Sequence, residues 1–93
     1  MRLRYSVEAR RQIVEIHSYI TARNPRAATR VVERIRAAAE LLAEFPYIGR
    51  PSREPGTYQW VVRGLPYILV YEIGTPTKDE LLILAVFHGA REC

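Results

Sequence analysis

Lysine is nearly missing from this chain: thirteen of its fourteen basic residues are arginine, and Lys78 is the exception. Cysteine, methionine and tryptophan occur once each, and histidine twice. Cys93 has no second cysteine with which to form an internal disulfide, a pattern that fits a reducing compartment, so a cytoplasmic setting is expected. His17 and His88 with one cysteine cannot close a zinc site, and no pair has ligand spacing, so neither metal nor cofactor is expected. Phosphate-cradling glycine loops and the Gly-x-Ser-x-Gly elbow are absent too. No apolar run approaches the roughly 18 to 20 residues that span a bilayer. Met1-Arg2-Leu3-Arg4-Tyr5 leads into a polar segment rather than an apolar leader, so no membrane association is expected.

What remains is a chain of 93 residues, 48% of them hydrophobic, with a formal charge of +4. Such a length predicts a single domain, 1–93, which buries somewhat more than about 60% of the surface of its unfolded chain. Charge is unevenly spread. Residues 1–63 carry 12 arginines against 6 glutamates, while residues 64–93 carry Lys78 and Arg91 against four acidic residues. Arginine forms bidentate contacts with phosphate and carboxylate, so an acidic partner is a reasonable expectation for the first two thirds of the chain.

Leu3, Tyr5 and Val7 alternate with Arg2, Arg4 and Ser6, the period of a short half-buried strand at residues 2–6. Ser6 is placed to cap a helix over 8–23, with Glu8 in its first turn and Ala9, Ile13, Ile16 and Ile20 on one stripe. Asn24-Pro25 ends that helix and opens another over 25–44, whose Ala28, Val31, Val32, Ile35, Ala38, Ala39 and Leu42 recur at helical period. With so short a linker the two helices form a hairpin. Pro46, Gly49, Pro51, Pro55 and Gly56 then predict a loop without regular structure. Strands follow at 58–63, 66–73 and 80–87, separated by Gly64 and by the turn cluster Gly74 to Asp79, and short connections make them an antiparallel meander. The expected architecture is an α+β two-layer domain, with a helical hairpin on a four-stranded, mainly antiparallel sheet in the order β-α-α-β-β-β.

In the central strand, Tyr67, Leu69, Tyr71 and Ile73 share one face and Ile68 and Val70 the other. Both faces are apolar, so the face away from the helices is expected to meet a partner. By charge and expected exposure, Arg50, Arg53, Arg63 and Arg91 are the candidates for target contact. His88 follows the last strand and is trailed by Gly89-Ala90-Arg91, which puts an imidazole and a guanidinium near one end of the sheet. His17, beside the apolar stripe of the first helix, is expected to pack or to face solvent. The hairpin offers Arg10, Arg11, Arg30 and Arg34, and the strands offer Tyr58, Trp60 and Tyr67, to a partner segment with apolar anchors and acidic side chains.

Four elements in order are similar to one family: Asn24-Pro25-Arg26-Ala27-Ala28, Phe45-Pro46-Tyr47-Ile48-Gly49-Arg50, Pro66-Tyr67-Ile68-Leu69-Val70-Tyr71, and Val86-Phe87-His88-Gly89-Ala90-Arg91. They resemble the RelE/ParE superfamily of bacterial toxins, its ParE branch most closely, over nearly the whole chain. The resemblance implies the toxin of a type II toxin-antitoxin pair, held in a hetero-oligomer with a ParD-like antitoxin. RelE-like members are ribosome-dependent mRNA endonucleases, whose chemistry needs a base, an acid and cationic stabilisation. Where those nucleases tend to carry an arginine after the aromatic residue of the central strand, this chain has Ile68, and no tyrosine follows Arg91. Arg63, His88 and Arg91 would be the catalytic set of a nuclease. ParE-like members instead bind DNA gyrase, and the resemblance favours that function, with Arg50, Arg53, Arg63, His88 and Arg91 as target-binding residues. A third reading is a non-catalytic nucleic-acid-binding module that stacks bases on Tyr58, Trp60 and Tyr67.

Overall fold

The computed structural model describes residues 1–74 and 78–89, so the middle of the expected 74–79 turn, Arg91 and Cys93 lie outside the described residues. Its elements are β1 (Arg2–Tyr5), α1 (Val7–Thr21), α2 (Pro25–Glu44), β2 (Arg50–Pro51), β3 (Thr57–Val61), β4 (Tyr67–Ile73) and β5 (Glu80–His88). The sheet has five strands in the order β1-β5-β4-β3-β2, with β1 parallel to β5 and the other pairs antiparallel.

Both helix starts are built as the sequence predicts. Ser6 has extended backbone and its Oγ accepts from Ala9 N at 3.0 Å, while Asn24 Oδ1 accepts from Ala27 N at 3.2 Å ahead of Pro25. The first helix stops two residues short of the expected end. Arg23 N and Asn24 N both donate to Ile20 O, tightening the chain into the turn that lets α2 double back. Charges on α2 run against its dipole: Arg26 stands in the first turn and Glu44 in the last, with no acidic residue at its start and no basic one at its end. Each such placement costs about 0.3–1 kcal/mol.

The fifth strand is a correction. Arg50 pairs with Gln59 and Pro51 with Tyr58 inside the stretch expected to be irregular, and Ser52 N donates to Thr57 O at 2.9 Å. Proline lacks an N–H, but β2 is the outer strand, where a missing donor leaves no ladder bond unmade.

Ala9, Ile13, Ile35, Ala39 and Leu42 from the helices meet Leu69, Tyr71, Leu81, Ile83 and Val86 from the sheet in the core. The faces of β4 fall as its alternation predicts, with Tyr67, Leu69 and Tyr71 buried and Ile68 and Val70 half-buried. In β5 the alternation breaks. Val70 pairs with Ala85 but Tyr71 with Ile83, so Leu84 is an extra residue, a bulge that turns Val86 rather than Ala85 into the core. The cap and first turns of α1 hold it: Ser6 Oγ donates to Leu84 O at 2.9 Å, and Gln12 Oε1 accepts from Val86 N at 2.6 Å.

Tyr71 ties the loop to the sheet. Its ring stacks on Tyr58, its hydroxyl donates to Pro46 O at 2.7 Å, and Gly49 N donates back to it at 3.2 Å. A side chain on Gly49 would overlap Tyr71 Oη and Gln59 O. Burial pushes the Tyr71 phenol above its usual ionisation range.

Ser6→Ala removes the α1 cap and leaves the Leu84 carbonyl without its donor, so urea unfolding should show a loss of about 1–3 kcal/mol. Tyr71→Phe should cost about as much, since it strands a half-buried acceptor and a half-buried donor of the loop. The pH dependence carries a sign: a raised phenol is neutral in both states below about pH 10, and stability is lost above that value as the unfolded chain ionises first. Unfolding measured from pH 8 upward should therefore show a shallower alkaline decline in Tyr71→Phe. A remaining decline is expected from Tyr5, whose phenol burial also raises.

Candidate functional site

The open sheet face is built from register. Val61 pairs with Ile68 and Ile68 with Phe87, making one apolar row across β3, β4 and β5, while Arg50, Gln59, Val70 and Ala85 make the next. Val61 is 55% exposed, and Ile68, Val70, Ala85 and Phe87 are half-buried. Polar groups stand at the margins: Arg50 on β2, Glu72 on β4, and Arg4 on β1, which pairs with Glu80 at 3.5 Å. Ile68 is thus flanked by two hydrocarbon side chains, with no acid, base or hydroxyl beside it in its row.

His88 is not on that face. The bulge shifts the alternation of β5, so Phe87 takes the open side and His88 faces α1, in register with Tyr67 and with its ring edge-on to that of Tyr67 at 5.5 Å. Both line a cleft of about 610 Å³ between α1 and the end of β5, together with Gln12, Glu15, Ile16 and Tyr19. Arg63 lies at the same end of the sheet, in the turn between β3 and β4, but β4 separates its strand from that of His88 by two strand spacings, about 10 Å. Arg53 is exposed in the bend after β2, and Arg91 lies outside the described residues. The expected target contacts therefore divide, with Arg50 on the open face, Arg63 at its end and His88 on the helix side. Among the described residues no carboxylate is within ion-pair distance of Arg50 or Arg63.

The hairpin arginines divide as well. Arg11 is engaged by Glu8 and Glu15, each at 2.5 Å, and these carboxylates raise its already high ionisation point. Arg34 donates to Arg63 O at 2.5 Å, against Gly64, whose φ of +76° is the left-handed conformation of the β3-β4 turn. Arg10 and Arg30 are exposed. Tyr58 and Trp60 lie on the helix-facing side, half-buried against the core, so their rings are packing surfaces first. His17 is exposed on α1, with Nδ1 3.4 Å from Thr21 Oγ1. No cluster of metal-ligating side chains occurs among the described residues.

Sequence reasoning missed Val61, Phe87 and Gln12. The first two join the site only through strand register, and the third only because β1 ends opposite Ile83 and leaves the outer edge of β5 uncovered at Val86; no local pattern signals either.

Comparison with known proteins gives a consistent result. The family model described as the ParE toxin of the type II toxin-antitoxin system parDE matches residues 3–93. A protein of Sinorhizobium fredii (strain NBRC 101917 / NGR234), named "Putative toxin Y4kP", is 40% identical over 91 residues, covering 98% of this chain and 91% of its own. In fold, the chain is similar to a structure of a chromosomal ParDE system from P. aeruginosa, with a TM-score of 0.83, 21% identity and 95% coverage of both chains. It is also similar to the isolated E. coli RelE toxin, with a TM-score of 0.70, 19% identity, and coverage of 98% of this chain and 86% of that one. The toxin-antitoxin complex RelBE of E. coli gives 0.68 at 19% identity, with 94% of each chain covered.

The row around Ile68 generates a test. Ile68→Arg can reach solvent past Val61, so stability should change by less than about 1.5 kcal/mol. Restoring this cation should not create RNA cleavage, because no proton donor or acceptor adjoins it. Appearance of cleaved mRNA when the variant is added to a translation extract would show the opposite.

Proposed function

The chain belongs to the ParE toxin family of type II toxin-antitoxin systems, and from that premise we propose that it acts on DNA gyrase by binding and that a ParD-like antitoxin neutralises it. The apolar row Val61, Ile68 and Phe87 carries this reading. Cleavage of RNA requires a base to take the ribose 2′-hydroxyl proton, an acid for the leaving oxygen and a cation for the developing charge. The open face offers hydrocarbon instead, with Arg50 at its margin. Such a surface suits recognition of a protein: an apolar centre that excludes water and a charged rim that orients the partner.

The antitoxin has a second surface open to it. Tyr67, Ile16 and Tyr19 give the cleft beside α1 the concave apolar lining that receives an anchor side chain, and Arg10 stands on the same helix for an acidic neighbour. A segment that folds onto toxin over this cleft would join the two in a hetero-oligomer. Action in the cytoplasm accompanies this reading. No helix among the described residues is long and apolar enough to cross a membrane.

Induced expression is expected to trigger DNA-damage signalling and linearise plasmid DNA, and purified protein should trap cleaved DNA on gyrase while ribosomal A-site mRNA stays intact. Codon-positioned mRNA cleavage with undamaged DNA would replace this reading with the RelE-like one. With the product of the neighbouring reading frame, the association rate should fall as salt rises while the dissociation rate changes little.

A further inference from the structure

We propose that the outer face of α2 is a docking surface for the phosphate backbone of duplex DNA, with Arg26, Arg30 and Arg34 as its contact row. The three lie four residues apart on the side of α2 opposite Ala28, Ile35 and Ala39, and all are exposed. Among the described residues, none of them forms an ion pair with a carboxylate. Glu33 is the one acidic residue in the first half of the helix, and Glu40 and Glu44 are confined to the second.

Arg26 opposes the helix dipole, and the spacing of four sets like charges side by side along the row, so the arrangement does not serve the stability of α2. Nor does Arg34 simply wander in solvent. Its guanidinium donates to Arg63 O, which fixes the turn that carries the exposed Arg63 against the row.

Spacing and composition select the partner. Residues four apart on a helix are about 6 Å apart along its axis, so the row spans about 12 Å. One strand of B-DNA presents a phosphate for each 3.4 Å or so of axis, so the row faces about three to four phosphates. Protein interfaces are organised around apolar or aromatic anchors, and this face has none beside the arginines: Ala27 and Ala37 border them, and the first large apolar side chain along it is Leu41, two turns beyond Arg34. Single-stranded nucleic acid would call for stacking rings, and α2 contains no aromatic residue. No residue of α2 lines the cleft beside Tyr67, so Arg30 and Arg34 are assigned here to DNA rather than to the antitoxin expected from sequence. The gyrase reading enters only in the choice of DNA over other double helices, since duplex DNA is what gyrase holds.

Fluorescence anisotropy of two unrelated labelled duplexes of about 20 base pairs tests this with the full chain. Both should bind equally, and in Arg26→Gln/Arg30→Gln the slope of log K against log salt should fall by about 2, with tenfold or greater weakening near 100 mM salt. Arg30→Lys should retain the slope, and Arg2→Gln/Arg10→Gln, which removes the same charge elsewhere, should change affinity less than about threefold. Equal weakening by the two double variants, or no binding at about 50 mM salt, would overturn the proposal. So would displacement by polyglutamate as readily as by DNA, which would identify an acidic protein as the partner, or tighter binding of duplex RNA. Duplex binding by a chain that leaves gyrase untouched would sink the gyrase reading alone; gyrase trapping without duplex binding would sink this one alone.

Discussion

One extra residue in the last strand decides which side chains meet. A strand alternates faces at every residue, so an unbroken β5 that buries Leu81 and Ile83 would also turn Ala85 and Phe87 inward and leave His88 outside. Leu84 resets the alternation. Val86 fills the core, Phe87 joins Ile68 and Val61 on the open face, and His88 turns to Tyr67 and α1. A bulge breaks the ladder and exposes backbone groups that must be satisfied elsewhere. Here β1 ends opposite Ile83, and Ser6 and Gln12 bind the Leu84 carbonyl and Val86 N–H on either side of the reset, so the start of α1, its docking on β5 and the face assignment of the site are coupled.

That coupling explains what could be read from the sequence and what could not. Ser6 and Asn24 announce their helices because a cap is a local event, and the apolar stripes of α1 and α2 repeat over several turns. The bulge leaves no trace in Leu81-Leu82-Ile83-Leu84-Ala85-Val86-Phe87, where apolar residues on both faces hide any change of phase. β2 is likewise silent, since two residues ending in proline show no period. As a result, the residue types of the site were legible, but their grouping was not. Arg50, Arg63 and His88 look like one constellation by proximity to strand ends, and register distributes them over two faces.

Tyr71 solves a related difficulty at the other edge. A loop rich in proline and glycine makes few hydrogen bonds of its own, and β2 is too short to hold it. The phenol reaches Pro46 O and Gly49 N together, while its ring stays stacked on Tyr58 inside the core. Arg50 is thereby set against Gln59 on a strand edge rather than left on a free loop. An exposed arginine whose backbone is fixed loses less freedom on binding than one on a mobile segment.

The same sequence carries two surfaces with opposite chemistry, an apolar row on the sheet and an arginine row on α2. Covering the apolar row on the sheet expels water, with affinity set by fit, whereas the outer face of α2 presents fixed charge whose attraction falls as salt rises. Placing Arg26 against the helix dipole weakens α2 slightly, and packing of Ala28, Ile35, Ala39 and Leu42 in the core offsets that loss. Had the arginines been placed to stabilise the helix, they would stand at its C-terminal end, beside the exposed Leu41 and Phe45 and away from the turn that Arg34 holds. Their concentration in the first half of α2 is therefore a feature of the surface rather than of the fold, and apart from Arg63, which stands at the end of the open face, it draws on no side chain of the sheet surface.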